Sequence, residues 1–127
     1  MPVIGYQTEE LPAFYTRKSG FKVDYRLDTP EELAAAFRTK LELGLRGGML
    51  VTNPIPQEYS MPKDVIDFAI EDALRDMEDL GIRGKKCTPF LLARVKELTG
   101  GVSLEANIQL VLNNARLAAQ TAVALAK

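Results

Sequence analysis

"DTPEELAAAFRTKLELGLRGGMLVTNP", residues 28–54, decides the fold. Thr29 suits an N-cap, Pro30 the first helical position, and Glu32 completes a capping box. Leu33, Ala36, Phe37 and Leu41 then recur as one apolar stripe, the mark of an amphipathic helix. Gly44 or Gly47-Gly48 ends it. Met49, Leu50 and Val51 follow as an unalternated apolar run, which predicts an interior strand buried on both faces. Upstream, residues 21–27, "FKVDYRL", alternate: Phe21, Val23, Tyr25 and Leu27 on one face, Lys22, Asp24 and Arg26 on the other. That period of two predicts a strand with one wet face. Strand, helix and strand in that order make a crossover unit and point to an α/β fold.

Residues 2–6 read as a further strand, beginning almost at Met1. Residues 8–17 contain Pro12 and two aromatics and read as a loop. Downstream, a second helix is expected from about Pro62 to Leu80, capped by Ser60 or Met61 and stopped by Gly81. A third starts at Thr88-Pro89 and ends at Gly100-Gly101. The fourth follows an N-cap at Ser103 and runs to the C-terminus, with Ile108, Val111, Leu112, Ala115, Ala119 and Ala122 as its core face. About three strands and four helices result, few strands for so many helices. The expected architecture is part of a three-layer α/β/α domain with a mixed sheet. Its exposed edges, one near the opening strand, suggest a sheet continued by sequence outside this chain.

The 127 residues are one domain's worth, 46% hydrophobic and 26% charged, with a net charge of −1. That balance argues against the generic basic footprint of a nucleic-acid or membrane-surface binder. With no histidine and only Cys87, a zinc site of histidines and cysteines is impossible, as is an intrachain disulfide. A lone cysteine and the lack of a leader or spanning segment point to the cytoplasm.

Three places could carry chemistry. Asn53 lies just past the expected interior strand, in "VTNPIPQEY", where the ligand crevice of an open α/β sheet is found. Pro54 pushes it to an extended conformation and Pro56 stiffens the loop; a stiff turn needs the same residues. Asn107 and Asn114 are seven apart in the fourth helix, on one face beside Val111. Buried amides there need partners, either backbone or a ligand offering both donors and acceptors, such as a nucleobase edge. Cys87, beside Lys85 and Lys86, has no histidine or second thiol to work with. The Walker loop, the GxGxxG fingerprint and the nucleophile elbow are all absent.

The ordered set "PVIGYQT", "LPAFYTR", "GLRGGMLVTNPIP", "CTPFLLARVKELTGG" and "SLEANIQLVLNNARLAA" resembles the C-terminal part of the pseudouridine-5'-phosphate glycosidase family, also called indigoidine synthase A-like. The resemblance implies that residues 1–127 are the C-terminal portion of a single α/β glycosidase domain. It implies reversible cleavage of pseudouridine 5'-phosphate to uracil and ribose 5-phosphate through a lysine Schiff base. A glutamate acid/base and a divalent cation, typically manganese, complete the family's chemistry. The glutamate, lysines and metal-binding aspartate belong to the N-terminal part, so no catalytic or metal residue is expected here. Asn107 corresponds to a contact to the uracil end; Asn53 and Asn114 are candidates from the reading above. A homotrimer, or association with an N-terminal portion, is implied, with no nucleic-acid or membrane partner. The alternative is a non-catalytic binding or assembly module that keeps part of the fold.

Overall fold

The computed structural model describes all of residues 1–127. Three short strands, β1 (Val3–Tyr6), β2 (Tyr25–Leu27) and β3 (Leu50–Thr52), form one sheet in the order β2-β1-β3. Both pairings are parallel, with Ile4 opposite Tyr25 on one side and Val51 on the other. Four helices accompany them: α1 (Pro30–Glu42), α2 (Lys63–Asp79), α3 (Cys87–Leu98) and α4 (Val102–Ala126). The α/β class and the count of three strands and four helices agree with the sequence reading. Within this chain the sheet is wholly parallel.

The placement of one strand differs from expectation: β1 is the central strand of the three, but β3 is an edge strand within this chain rather than an interior one. The apolar run that suggested a doubly buried strand has two unlike faces. Met49 and Val51 pack against the cluster of Ile4, Leu33 and Leu117, while Leu50, on the opposite face, is exposed. β2 is also shorter than the alternation implied. Residues 21–23 pair antiparallel with residues 9–11 instead, through Leu11 N–H to Phe21 O and Val23 N–H to Glu9 O. Phe21 and Tyr25, expected to face a core, are exposed.

Helix α1 begins as its sequence requires. Thr29 Oγ1 accepts the Glu32 N–H at 3.2 Å and donates to the Glu32 carboxylate, with Pro30 in the first turn. It links β2 to β3 across the central β1. Helix α2 starts after Pro62 with no side-chain cap, so neither Ser60 nor Met61 caps it. Helix α3 follows a 3-10 turn at Gly84–Lys86 and includes Cys87 and Thr88, so Thr88 is not its N-cap. Ser103 is likewise inside α4, whose N-cap is Gly101 at φ 91°. Gly100 and Gly101 both have positive φ, which allows a tight turn between α3 and α4 that side-chain-bearing residues would strain. The capping oxygen comes instead from Thr99, whose Oγ1 accepts the Ser103 N–H at 3.3 Å.

Two cores hold the molecule together, and α4 serves both. Ile55, Met61, Ile66, Ala69, Ala73 and Val95 enclose Ala106 and Leu110 from its N-terminal half. Ile4 and Leu33 enclose Leu117 from its C-terminal half. The buried face of α4 is therefore Ser103, Ala106, Leu110 and Leu117. The face expected to be buried, which includes Ile108, Val111 and Leu112, is exposed. Both faces of this helix are apolar, so hydropathy alone did not distinguish them.

Candidate functional site

The carboxyl ends of the three parallel strands share one rim, the usual ligand side of such a sheet. From β3 the chain passes through Thr52, whose hydroxyl donates to Ile4 O at 3.0 Å, into Asn53-Pro54-Ile55-Pro56. Two clamps fix this loop. Asn113 of α4 donates through Nδ2 to Pro54 O at 3.2 Å, and Arg17 donates through Nη1 to Ile55 O at 2.7 Å. Pro54 is buried and Ile55 fully so. The loop is rigid because its carbonyls are held and its side chains packed, in addition to its proline content.

Asn53, at the head of that loop, is half-buried, and its Nδ2 is buried with no hydrogen-bond partner. A buried, unpaired amide donor costs about 1–3 kcal/mol. Such an orphan in a folded protein calls for an explanation, and an acceptor on a ligand is one. Ser103 Oγ is a second buried orphan. On the same rim, Gln7 has φ 57°, a left-handed conformation rare for a side-chain-bearing residue. Its N–H donates to Leu27 O at 2.8 Å and its Nε2 to Asp28 O at 3.0 Å, which hold it there.

Asn107 is half-buried and its side chain makes no hydrogen bond within the chain. It is the sixth residue of α4, in the second turn. The helix dipole acts mainly within the first turn, so it adds little at this position. Asn114 is exposed. At 100° per residue the two amides lie on one flank of α4, between its buried face and its exposed apolar face. Asn113, which the sequence reading passed over, is the amide of this helix that bonds the loop. Its distinguishing signal was its position three residues after Leu110 and four before Leu117, in register with the buried face.

The largest hollow, about 790 Å³, lies at the opposite end of the sheet, by Pro2, Tyr25 and Met49. None of the three asparagines lines it. No group of three or more acidic or cysteine side chains converges to hold a metal ion. The cysteine is half-buried, with Sγ 3.8 Å from Ile82 O. Arg94 bridges Asp76 at 2.6 Å and Glu97 at 2.9 Å, and these bonds push its guanidinium pKa further up. That cluster ties α3 to α2 and is structural. No helix is long and apolar enough to cross a membrane.

Residues 1–124 match the family model described as indigoidine synthase A like protein. A curated relative from Clostridium botulinum, named pseudouridine-5'-phosphate glycosidase, is 62% identical over all 127 residues. Those residues are 100% of this chain and 41% of that protein. Among solved structures, an indigoidine synthase A-like protein from Thermotoga maritima superposes with a TM-score of 0.87 at 37% identity. The match covers 100% of this chain and 41% of that one. The prealnumycin C-glycosynthase AlnA, solved with ribulose 5-phosphate, superposes with a TM-score of 0.84 at 30% identity, covering 98% of this chain and 41% of AlnA. The chain thus spans about two fifths of the length of the relatives it matches.

Proposed function

The chain belongs to the indigoidine synthase A-like family, and from that membership we propose that it forms part of a pseudouridine-5'-phosphate glycosidase. The observation that carries the proposal is the 62% identity, over the whole chain, to a protein of that name. The reaction is reversible cleavage of the C–C glycosidic bond of pseudouridine 5'-phosphate, giving uracil and ribose 5-phosphate. AlnA, with its bound sugar phosphate, is a structural neighbour whose name also denotes C-glycoside chemistry.

A carbon–carbon bond to a sugar does not yield to simple hydrolysis. A lysine Schiff base at the opened sugar supplies the electron sink that such a cleavage needs. That lysine and a glutamate acid/base belong, in this reading, to the N-terminal three fifths of the complete enzyme. The divalent cation, manganese in the family, finds no cradle among the residues here, and no step is assigned to it. The role of this chain is recognition. The edge of uracil alternates N–H and C=O groups, and a carboxamide presents one acceptor and two donor hydrogens. Asn107, unbonded and half-buried, suits the base. Asn53, with its orphaned Nδ2, suits a carbonyl or hydroxyl oxygen of the ligand. Asn114, being exposed, has a weaker claim. A homotrimer in the cytoplasm completes the reading.

A chimera tests it. This chain replaces the matching 41% of the Clostridium botulinum relative, and uracil release from pseudouridine 5'-phosphate is followed. Turnover comparable with the parent supports the proposal. A folded chimera that releases no uracil, beside an active parent, refutes it and favours a non-catalytic binding or assembly module.

A further inference from the structure

The loop after β3 is fixed on both sides of Asn53, while the Asn53 side-chain donor is left unbonded. Ahead of it, Thr52 Oγ1 donates to Ile4 O of β1 at 3.0 Å. Behind it, Asn113 Nδ2 donates to Pro54 O at 3.2 Å and Arg17 Nη1 to Ile55 O at 2.7 Å. Arg17 is itself anchored: Tyr15 and Thr16 before it are buried, and Tyr15 O accepts the Met61 N–H at 2.9 Å. The prolines transmit the restraint. Pro54 has a fixed φ and disfavours the helical region at Asn53, so few free torsions separate the held carbonyls from the Asn53 side chain. A shift of either carbonyl moves Asn53 with it. Within this frame Asn53 Nδ2 is buried with no partner. A buried donor on a restrained backbone, satisfied by nothing in the chain, is the arrangement of a preorganised ligand contact.

We propose that Arg17 and Asn113 are positioning residues for ligand binding, acting through Asn53. They hold the Ile55 and Pro54 carbonyls so that Asn53 Nδ2 meets an oxygen acceptor of the ligand, a base carbonyl or a sugar hydroxyl, at hydrogen-bond distance. The two side chains suit the task differently. The charged guanidinium makes a stronger bond to a neutral carbonyl than an uncharged donor does. Asn113 lies on α4, whose Ala106, Leu110 and Leu117 are buried in the two cores, so its donor is carried by a packed helix. Precision is what such a frame provides: a displacement of about 1 Å in a binding group lowers a rate by up to about a hundredfold. The inference rests on the proposed glycosidase reading, which supplies the ligand.

The test is a pair of double-mutant cycles in the chimera, with kcat, KM and Tm measured for each variant on pseudouridine 5'-phosphate. Asn53→Ala lowers kcat/KM by about ten- to a hundredfold. Arg17→Met and Asn113→Ala each lower it by about tenfold, and each divides the loss between kcat and KM in the proportion that Asn53→Ala shows. Combined with Asn53→Ala, either one lowers kcat/KM no further, within about threefold, because an amide already absent cannot be misplaced. Two cycles are used so that a poorly folding Arg17→Met enzyme still leaves Asn113→Ala to decide. Arg94→Met breaks the bridges to Asp76 and Glu97 on α2 and α3; it lowers Tm and leaves kcat/KM unchanged well below melting, which separates lost stability from lost positioning. Losses that multiply in the double variants overturn the proposal, since they make the clamps independent of Asn53. So do clamp variants whose Tm falls while kcat/KM holds, or an Asn53→Ala enzyme as active as the parent. A folded parent chimera that releases no uracil rejects the glycosidase reading and this inference with it. An active parent whose double variants show multiplying losses rejects the positioning role alone.

Discussion

Replacing Asn113 with alanine isolates the clamp on the Asn53 loop. Asn113 Nδ2 donates to Pro54 O at 3.2 Å, and Pro54 is buried. Truncation leaves that carbonyl unpaired in a poorly hydrated place, a cost of about 1–3 kcal/mol. Alanine returns up to roughly 0.7 kcal/mol through its higher helix propensity. The net loss is about 1–2 kcal/mol, and unfolding entropy for a 127-residue chain converts this to a Tm drop of about 4–8 °C. Thermal melts followed by circular dichroism at the helical band read it directly. Asn114→Ala is the internal control, because Asn114 is exposed and one residue along the same helix. It gains the propensity term without losing a bond, so its Tm equals or slightly exceeds that of the parent. Asn113→Ala melting at or above Asn114→Ala would refute the clamp, and with it the physical reason given for the rigidity of the loop.

Three further outcomes follow from other contacts. Gly5→Ala in the central strand places a Cβ in overlap with Thr8 O and 3.0 Å from Val23 Cγ2; a loss of about 1–3 kcal/mol is expected by urea titration. Ser103→Ala removes a buried hydroxyl that has no partner and improves helix propensity, so its Tm rises or holds, by up to about 1 kcal/mol of added stability. Burial pushes the Tyr15 hydroxyl pKa above its ordinary 10.0. The unfolded chain therefore loses this proton first, so stability attributable to Tyr15 is intact below pH 10 and declines as pH rises through the raised folded value. Melts of the parent and Tyr15→Phe across that range show a parent-minus-variant difference in Tm that becomes more negative with pH; a difference that does not change contradicts the sign.

The sequence made the crossover unit legible because its signals were local. Thr29, Pro30 and Glu32 set the start of α1 by direct contacts, and the structure contains them. Local signals failed where the partner was distant. Ser103 looks like an N-cap, yet Gly100 and Gly101 let Thr99 supply the capping oxygen from the preceding helix. Met49-Leu50-Val51 is apolar on both faces although only one is buried within this chain. In α4 the same ambiguity sent the predicted core to the wrong side, because Ile108 and Val111 are as hydrophobic as Leu110. The loop at Asn53 was legible through its prolines and its place after a strand. Its clamps were not, since Arg17 and Asn113 are 38 and 59 residues away from the carbonyls they hold.

The most direct test of recognition by this chain is Asn107→Ala in the chimera, with kcat/KM for pseudouridine 5'-phosphate and Tm measured on the same preparation. The Asn107 side chain bonds nothing within the chain, so its removal leaves Tm within about 2 °C of the parent. If its amide meets the base, the unpaired ligand edge costs about 1–3 kcal/mol, a fall of roughly one to two orders of magnitude in kcat/KM. A Tm that drops while kcat/KM holds contradicts the account and makes Asn107 a structural amide.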